Sequence, residues 1–516
     1  MLLKLSVAIF LLFFLHASTA APWVEPGDMP LRNDIQLLAD AGIITAPVTT
    51  YPLMWNAIKD DILSAKLHLL TNEQKRALNH VKFSYKYASG NQNITKTSVY
   101  LASSANRFTS YGDDNVNQGK FLLSQQYLTT YFAGKIQINS RLGLDDTPEF
   151  TQGNELNIDG SFLAYKLGNW VLTAGAIERW WGPGIDTNLI MTTNSRPLPA
   201  IAITRDDSNA LPMPWLSWIG PWTLTAQIAK LEADRAVPDT LMWSTRATFR
   251  PLRGLEIGII WSLQWAGKDQ PSTINDFFSV LLAKDQCADG TLNCSSALQT
   301  KEGNHIAGYD LRWSDTFFDL PYALYLQTIG ANTTPNFGIV NDNADMYGIE
   351  TRFTLFNQGV FANVEYTDTQ TTCGATQSLG LNCLYEHPLY QSGYRYYRRT
   401  IGSTYDNDAK TLVATFLIQT TAGSSWQLKL RKAQLNTDNI DRYPNNITIG
   451  NPVSKVAENV WQVDGQYQFI ALDSRFTLGV IITKSSFANN EGNSEGNASV
   501  EDGNELDAYM KWEYRY

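Results

Sequence analysis

Over 516 residues the chain has only four cysteines and five histidines, and just 17% of its residues are charged. HExxH, a P-loop and a dinucleotide fingerprint are absent, so the common zinc-protease and nucleotide-binding chemistries lack their signatures. Basic residues are outnumbered, 40 against 50 acids, and the net charge of -10 would repel a phosphate backbone and argues against nucleic acid as a partner. Long apolar runs are missing beyond the extreme N-terminus, and a mean hydropathy of -0.23 excludes a bundle of membrane helices. Disorder is excluded from the other side, because aromatics make up 12% of the residues. Polar on average yet carrying 24 Tyr, 22 Phe and 15 Trp, the chain has the composition of a transmembrane β-barrel, whose lipid-facing and lumen-facing residues cancel in any window.

Residues 1–20, MLLKLSVAIFLLFFLHASTA, place Lys4 before an apolar stretch from Leu5 to Leu15 and end in small residues, as a secretory signal peptide does. The stretch is too short to span roughly 30 Å of hydrocarbon. Export puts Cys287, Cys294, Cys373 and Cys383 in an oxidising compartment, where their close spacing favours two local disulfides. Neither pair has zinc-knuckle spacing, and no metal or cofactor is expected.

Residues 21–79 read as a small helical bundle. Asp28 and Pro30 open one helix that Gly42 stops, Thr50 and Pro52 precede a second, and Thr71 with Gln74 at capping-box spacing starts a third. So short a piece must lean on something larger. From residue 80 to 516 alternation takes over, beginning with VKFSYKY. In SWQLKLRKAQL, Trp426, Leu428 and Leu430 share one face and Gln427, Lys429 and Arg431 the other, as lipid and a wet lumen demand. The predicted fold is an all-β transmembrane barrel of about 18 antiparallel strands, with the helical bundle on its periplasmic side. Ala508, Met510, Trp512, Tyr514 and Tyr516 alternate up to the last residue and read as a closing strand, which must pair with a first strand expected near residues 80–89. An aromatic end resembles the insertion signal of Gram-negative outer-membrane barrels.

Two stretches carry candidate binding chemistry. In the outer-loop tract YEHPLYQSGYRYYRR, residues Tyr385, Tyr394, Arg395, Tyr396, Tyr397 and Arg398 mix ring faces, which stack on sugar C–H groups, with guanidinium forks that pair with carboxylates. An interfacial girdle reaching lipid and lipopolysaccharide is the plainer alternative. Residues 178–205 break the strand grammar: Gly182, Pro183 and Gly184 follow Trp180 and Trp181, and Arg179, Asp186, Asn188, Asn194, Arg196 and Arg205 add polar groups. The stretch reads as a loop folded into the barrel.

RWWGPGxDxxLIxxxNxRPxP, PMPWLSWIGPW and the N-terminal LRNDIQLLADAGIITAPVTTYPLMW resemble the Wzi family of capsule-assembly outer-membrane proteins, over essentially the whole mature chain. The resemblance implies a monomeric barrel of eighteen strands, lectin-like binding of exported capsular polysaccharide or exopolysaccharide at the cell surface, and no catalysis. It marks Trp180, Trp181, Gly182, Pro183, Gly184, Asp186, Asn188, Asn194, Arg196 and Arg205 as polysaccharide-binding or lumen-plugging positions. A sugar-selective porin is the alternative. His68, His80, His305 and His387 find no catalytic partners in the sequence, and the acid pairs Asp113-Asp114, Asp145-Asp146 and Asp206-Asp207 read as solvated loop carboxylates.

Overall fold

The computed structural model describes residues 22–90, 93–113, 118–142, 155–282, 303–331, 343–371, 384–387, 389–440, 451–488 and 502–515. Residues 1–20, expected to be a signal peptide, the four cysteines with their expected disulfides, Asp114, Asp145, Asp146 and Tyr516 lie outside these residues.

Alternation decides the architecture. Along Ser425–Leu435, Trp426, Leu428 and Leu430 are exposed at 54%, 39% and 41%, while Gln427, Lys429 and Arg431 are buried. The same inside-out rhythm recurs around a closed antiparallel barrel of 18 strands. Two of the ladder segments, Glu155–Asn157 and Phe162–Leu167, pair with the same strand, Phe132–Leu142, and form one strand interrupted around Gly160. The seam closes as expected at the C-terminal strand, Gly503–Arg515, whose Trp512 faces Val99 and whose Met510 faces Leu101.

Hairpins at one end are tight. Leu167 pairs with Trp170 across Gly168-Asn169. Phe318-Asp319, Phe356-Asn357 and Leu472-Asp473 close three others, all six residues having φ between 46° and 64°, the turn geometry that matches strand twist. In an outer-membrane barrel this short-turn end faces the periplasm.

Three helices sit at that end: α1 (Met29–Asp40), α2 (Trp55–Ser64) and α3 (Asn72–Gly90). Asp28 caps α1 by accepting the Leu31 N–H at 3.0 Å, and Thr71 and Gln74 form the expected capping box. The alternating VKFSYKY segment, expected to be the first strand, is instead the second half of α3. The first barrel strand is Asn93–Ala102. The physical reason is packing: Ala77, Leu78, Val81 and Ala88 fall on one helical face and bury against Ile35 and Leu38 of α1, while Phe83 stays 68% exposed.

The bundle does lean on the barrel, and α1 goes further by seating in its mouth. Its polar residues Arg32, Asn33 and Asp34 are buried. Asn33 bonds Arg352 Nε and Gln419 Oε1, each at 2.8 Å, and Asp40 accepts from Arg312 at 2.6 and 2.8 Å and from Arg352 at 3.1 Å. Arg250 and Arg253 donate to the carbonyls of Ala39 and Ala41 at 3.1 and 2.6 Å, satisfying the end of α1 and complementing its dipole.

Candidate functional site

The connection from Ile177 to Leu198 leaves the outward end of Trp170–Ala176, descends into the lumen, and returns to the outward end of Pro199–Arg205. Trp180 and Trp181 are fully buried. They pair antiparallel with Tyr51 and Thr50, and the Gly182 N–H donates to Thr49 O at 3.0 Å, so a loop from the outside and a segment from the periplasmic side form a two-residue ladder inside the barrel. Arg32 of α1 donates to the carbonyls of Pro183 and Gly184 at 2.8 and 2.9 Å, and its guanidinium lies 4.3 Å from the Tyr111 ring centroid. A Cβ at Gly184 would collide with the Thr187 carbonyl and Met346, and Gly182 sits at φ 140°, so both glycines are required for this close approach.

Lumen-facing strand residues tie the loop to the wall. Glu365 accepts the N–H groups of Ile185 and Thr187 at 2.8 and 2.9 Å and the Tyr325 hydroxyl at 2.8 Å. Gln327 accepts the Leu189 N–H at 2.6 Å, and Asn188 Oδ1 accepts the Gly184 N–H at 3.1 Å. Asp186 is a hub that binds Ser110 Oγ and Arg431 Nη2, each at 2.7 Å, and also the Tyr405 hydroxyl. Asn194 bonds the Thr400 carbonyl at 3.0 Å and Arg399 at 2.6 Å. Of the motif positions, those from Trp180 to Asn194 therefore build a cross-braced stopper. Two other outward connections, through Tyr111 and through Tyr405, fold in to meet it.

Arg205 departs from the expectation. It lies at the periplasmic end of its strand, donates to the carbonyls of Trp222 and Asn209 at 2.6 and 2.8 Å, and stacks 3.9 Å from the Trp222 ring centroid. It secures the connection carrying PMPWLSWIGPW and takes no part in the stopper.

The outer tract also differs from a free sugar-contacting surface. Tyr385 and Tyr394 are fully buried and stacked, with centroids 6.1 Å apart, and Tyr396 is 6% exposed. Arg395 is spent on Asp406, at 2.7 and 2.8 Å, and on Glu386. A buried guanidinium needs such carboxylates, so the pairing that suited it to a uronate is met internally. Tyr397 and Arg398 alone of the six candidates are exposed.

Two acidic residues read as solvated are also engaged: Asp113 binds Lys429 at 2.6 and 2.7 Å, and Asp206 binds Lys166 at 2.5 Å. His387 is a buried acceptor for the Leu389 and Tyr390 N–H groups, each at 3.2 Å, and burial lowers its imidazole to about 3. The residues that hold the stopper, Arg32, Tyr111, Gln327, Glu365 and Tyr405, were not singled out from sequence. For Gln327 and Glu365 the available signal was their polar character on lumen-facing strand positions, whereas Arg32 lies on α1 and Tyr111 and Tyr405 lie in outward connections.

An apolar-coated closed barrel whose lumen is entered by a loop from one end and a helix from the other is an integral outer-membrane protein. The chain belongs to the Wzi capsule assembly family, whose profile matches residues 88–497. It is similar to the solved structure of Wzi from Escherichia coli, described as an outer-membrane protein involved in group 1 capsule assembly and a carbohydrate-binding β-barrel. That likeness has a TM-score of 0.78 and 21% identity, and covers 95% of this chain and 98% of the other. An uncharacterized 55.8 kDa protein of the cps region of Klebsiella pneumoniae is 25% identical over 373 residues, 71% of this chain and 69% of the relative.

Proposed function

We propose that the chain binds an acidic capsular polysaccharide or exopolysaccharide at the outer face of the membrane and retains it there without covalent chemistry. The observation that carries this reading is the Trp180–Tyr51 ladder: a lumen closed by a loop from one side and by the Thr50-Tyr51 segment from the other favours ligand contact at the outward surface. Family membership and the carbohydrate binding described for the Escherichia coli protein support it. A polymer repeats its epitope, so modest contacts with successive sugars add into avidity. The same double closure opposes the sugar-porin alternative.

Deleting the gene tests the reading. Polymer moves from the cell-bound fraction to the medium while total synthesis stays near normal, and purified protein captures the host's polymer. Equal cell-bound polymer in deletion and parent would refute it, and steady conductance of the purified protein in planar bilayers would favour the porin.

A further inference from the structure

The outward connection after strand Leu255–Trp265 carries a fourth helix, α4 (Ile274–Leu281), opened by a capping box: Thr273 Oγ1 accepts the Asp276 N–H at 3.2 Å, and the Asp276 carboxylate accepts the Thr273 N–H at 3.0 Å. Its position follows from the strand before it. Odd-numbered residues of that strand face lipid, and Ile259 is 54% exposed, yet further along the same face Leu263 and Trp265 are only 0% and 5% exposed. On the neighbouring strand His305, paired with Leu263, is buried too, while Tyr309 is exposed. What covers them is α4, lying on the outside of the barrel wall. Val280 shares a buried cluster with Leu263, Trp265 and Ala266, and the Phe277 ring lies 4.9 Å from that of Trp265 and 6.2 Å from that of Trp243. A Cβ at Gly303 would collide with Val280 and Leu263, so the returning chain can pass this close only as glycine.

With about 100° between successive residues, α4 has three faces. Phe277, Val280 and Leu281 meet the wall. Asn275, Asp276 and Ser279 form a polar face. Between these two, Ile274, Phe278 and Leu282, the residue just past the helix, make an apolar stripe that is 72%, 50% and 59% exposed. Depth can be read from the strand: from the periplasmic turn at Gly254, Leu255–Trp265 climbs about 33 Å along its axis, or roughly 25 Å along the membrane normal at a tilt of about 40°. The apolar band of such a barrel is about 25 Å tall, which puts α4 at its outer rim, where acyl chains give way to headgroups.

We infer that α4 is an interfacial helix, its polar face among headgroups and Ile274, Phe278 and Leu282 inserted among the acyl chains of the outer leaflet. Lipid is the occupant because the stripe adjoins the same lipid-facing wall that exposes Ile259 and Tyr309. The order of faces agrees, with wall on one side of the stripe and polar residues on the other. Seated in this way, α4 pins the start of its outward connection to the plane of the membrane, whether or not the protein holds a polysaccharide.

The test places a nitroxide on single cysteines, Ile274→Cys, Asn275→Cys, Phe278→Cys and Leu282→Cys, in the full chain reconstituted into vesicles of phosphatidylethanolamine and phosphatidylglycerol. The unsubstituted chain, with its four cysteines, sets the labelling background. Collisions with oxygen, which concentrates among acyl chains, are compared with those of a water-soluble nickel chelate. Oxygen wins at 274, 278 and 282, and the ratio reverses at 275. Nickel favoured at all four positions puts the helix in water and overturns the inference. Low access to both reagents along the stripe also overturns it, since protein then covers the stripe, and spin–spin broadening identifies that cover as a second copy. Wild-type protein gives a reading that needs no variant: in the same vesicles doped with a phospholipid carrying an acyl-chain diazirine, photolabelling marks residues 274–282 as well as the strand wall. Adducts on Leu255–Trp265 with none on 274–282 sink the proposal.

Discussion

Arg32 Nη2 lies 2.9 Å from the carbonyl oxygen of Gly184, joining a helix that enters from the periplasm to a loop that enters from outside. Arg32→Met removes this bond and the one to Pro183. With each hydrogen bond to a charged donor worth about 1.5–3 kcal/mol, the variant melts earlier and shows transient openings in bilayer recordings. A variant as silent and as heat-resistant as the parent would mean that the two stoppers stand independently.

Asp186 neutralises Arg431 deep in the lumen. Asp186→Asn strands that cation, and breaking a buried pair in this way costs about 3–5 kcal/mol. The double variant Asp186→Asn with Arg431→Met recovers much of the loss in thermal unfolding followed by circular dichroism. Additive losses would show that the charges are not coupled.

Gly184→Ala puts a methyl group against the Thr187 carbonyl and Met346. Overpacking of this kind costs about 1–3 kcal/mol, and the strain falls on backbone. Protease accessibility of the loop rises while the far-ultraviolet strand signal is preserved. An unchanged cleavage pattern would argue that the loop has room to spare.

His80 Nδ1 lies 2.7 Å from Asp34 Oδ2, bridging α3 and α1. Burial lowers the imidazole, but the hydrogen bond and charge of Asp34 outweigh it, and the net shift is upward from 6.5. A group with a raised folded pKa stabilises fully below its unfolded value and loses that contribution as pH climbs through the folded one. Amide protection in α1 and α3 therefore declines between about pH 6.5 and the raised folded value in the wild type, and not in His80→Gln. Asp28 has the opposite sign. Burial raises it, Arg475 and the Leu31 N–H bring it down to about 2, and its contribution is present above 3.8 and vanishes as pH falls toward 2. Identical pH profiles for wild type and His80→Gln would remove the histidine from the account.

Tyr397 and Arg398 are exposed, whereas Arg395 is locked between two carboxylates. Replacing Tyr397 and Arg398 by Ala lowers polymer capture with little change in melting, and Arg395→Met lowers melting by stranding Asp406 and Glu386. Full capture by the Tyr397→Ala, Arg398→Ala protein would place contact elsewhere on the outer surface.

Strand periodicity made the wall of the barrel legible, because lipid and lumen impose opposite chemistry on neighbouring residues such as Leu430 and Arg431. The same rule failed at VKFSYKY, where a helix fixed by the Thr71 cap and by Ala77, Leu78 and Val81 also happens to alternate. The inserted loop could be read from Gly182, Pro183 and Gly184, since no strand accommodates them. Its partners could not. Glu365 and Gln327 are 180 and 138 positions away from the amides they accept, and nothing local announces such pairings. The YRYYRR tract shows the limit of composition, because Arg395 offers the same fork to Asp406 that it would offer a uronate.

Bracing at two depths divides the holding contacts between the two ends of the barrel. The contacts of Asp40 with Arg312 and Arg352 hold the helix at the short-turn end, whereas those of Asn194 with Thr400 and Arg399 tie the inserted loop to an outward connection. Rearrangement among the outer connections can therefore leave the seat of the helix untouched.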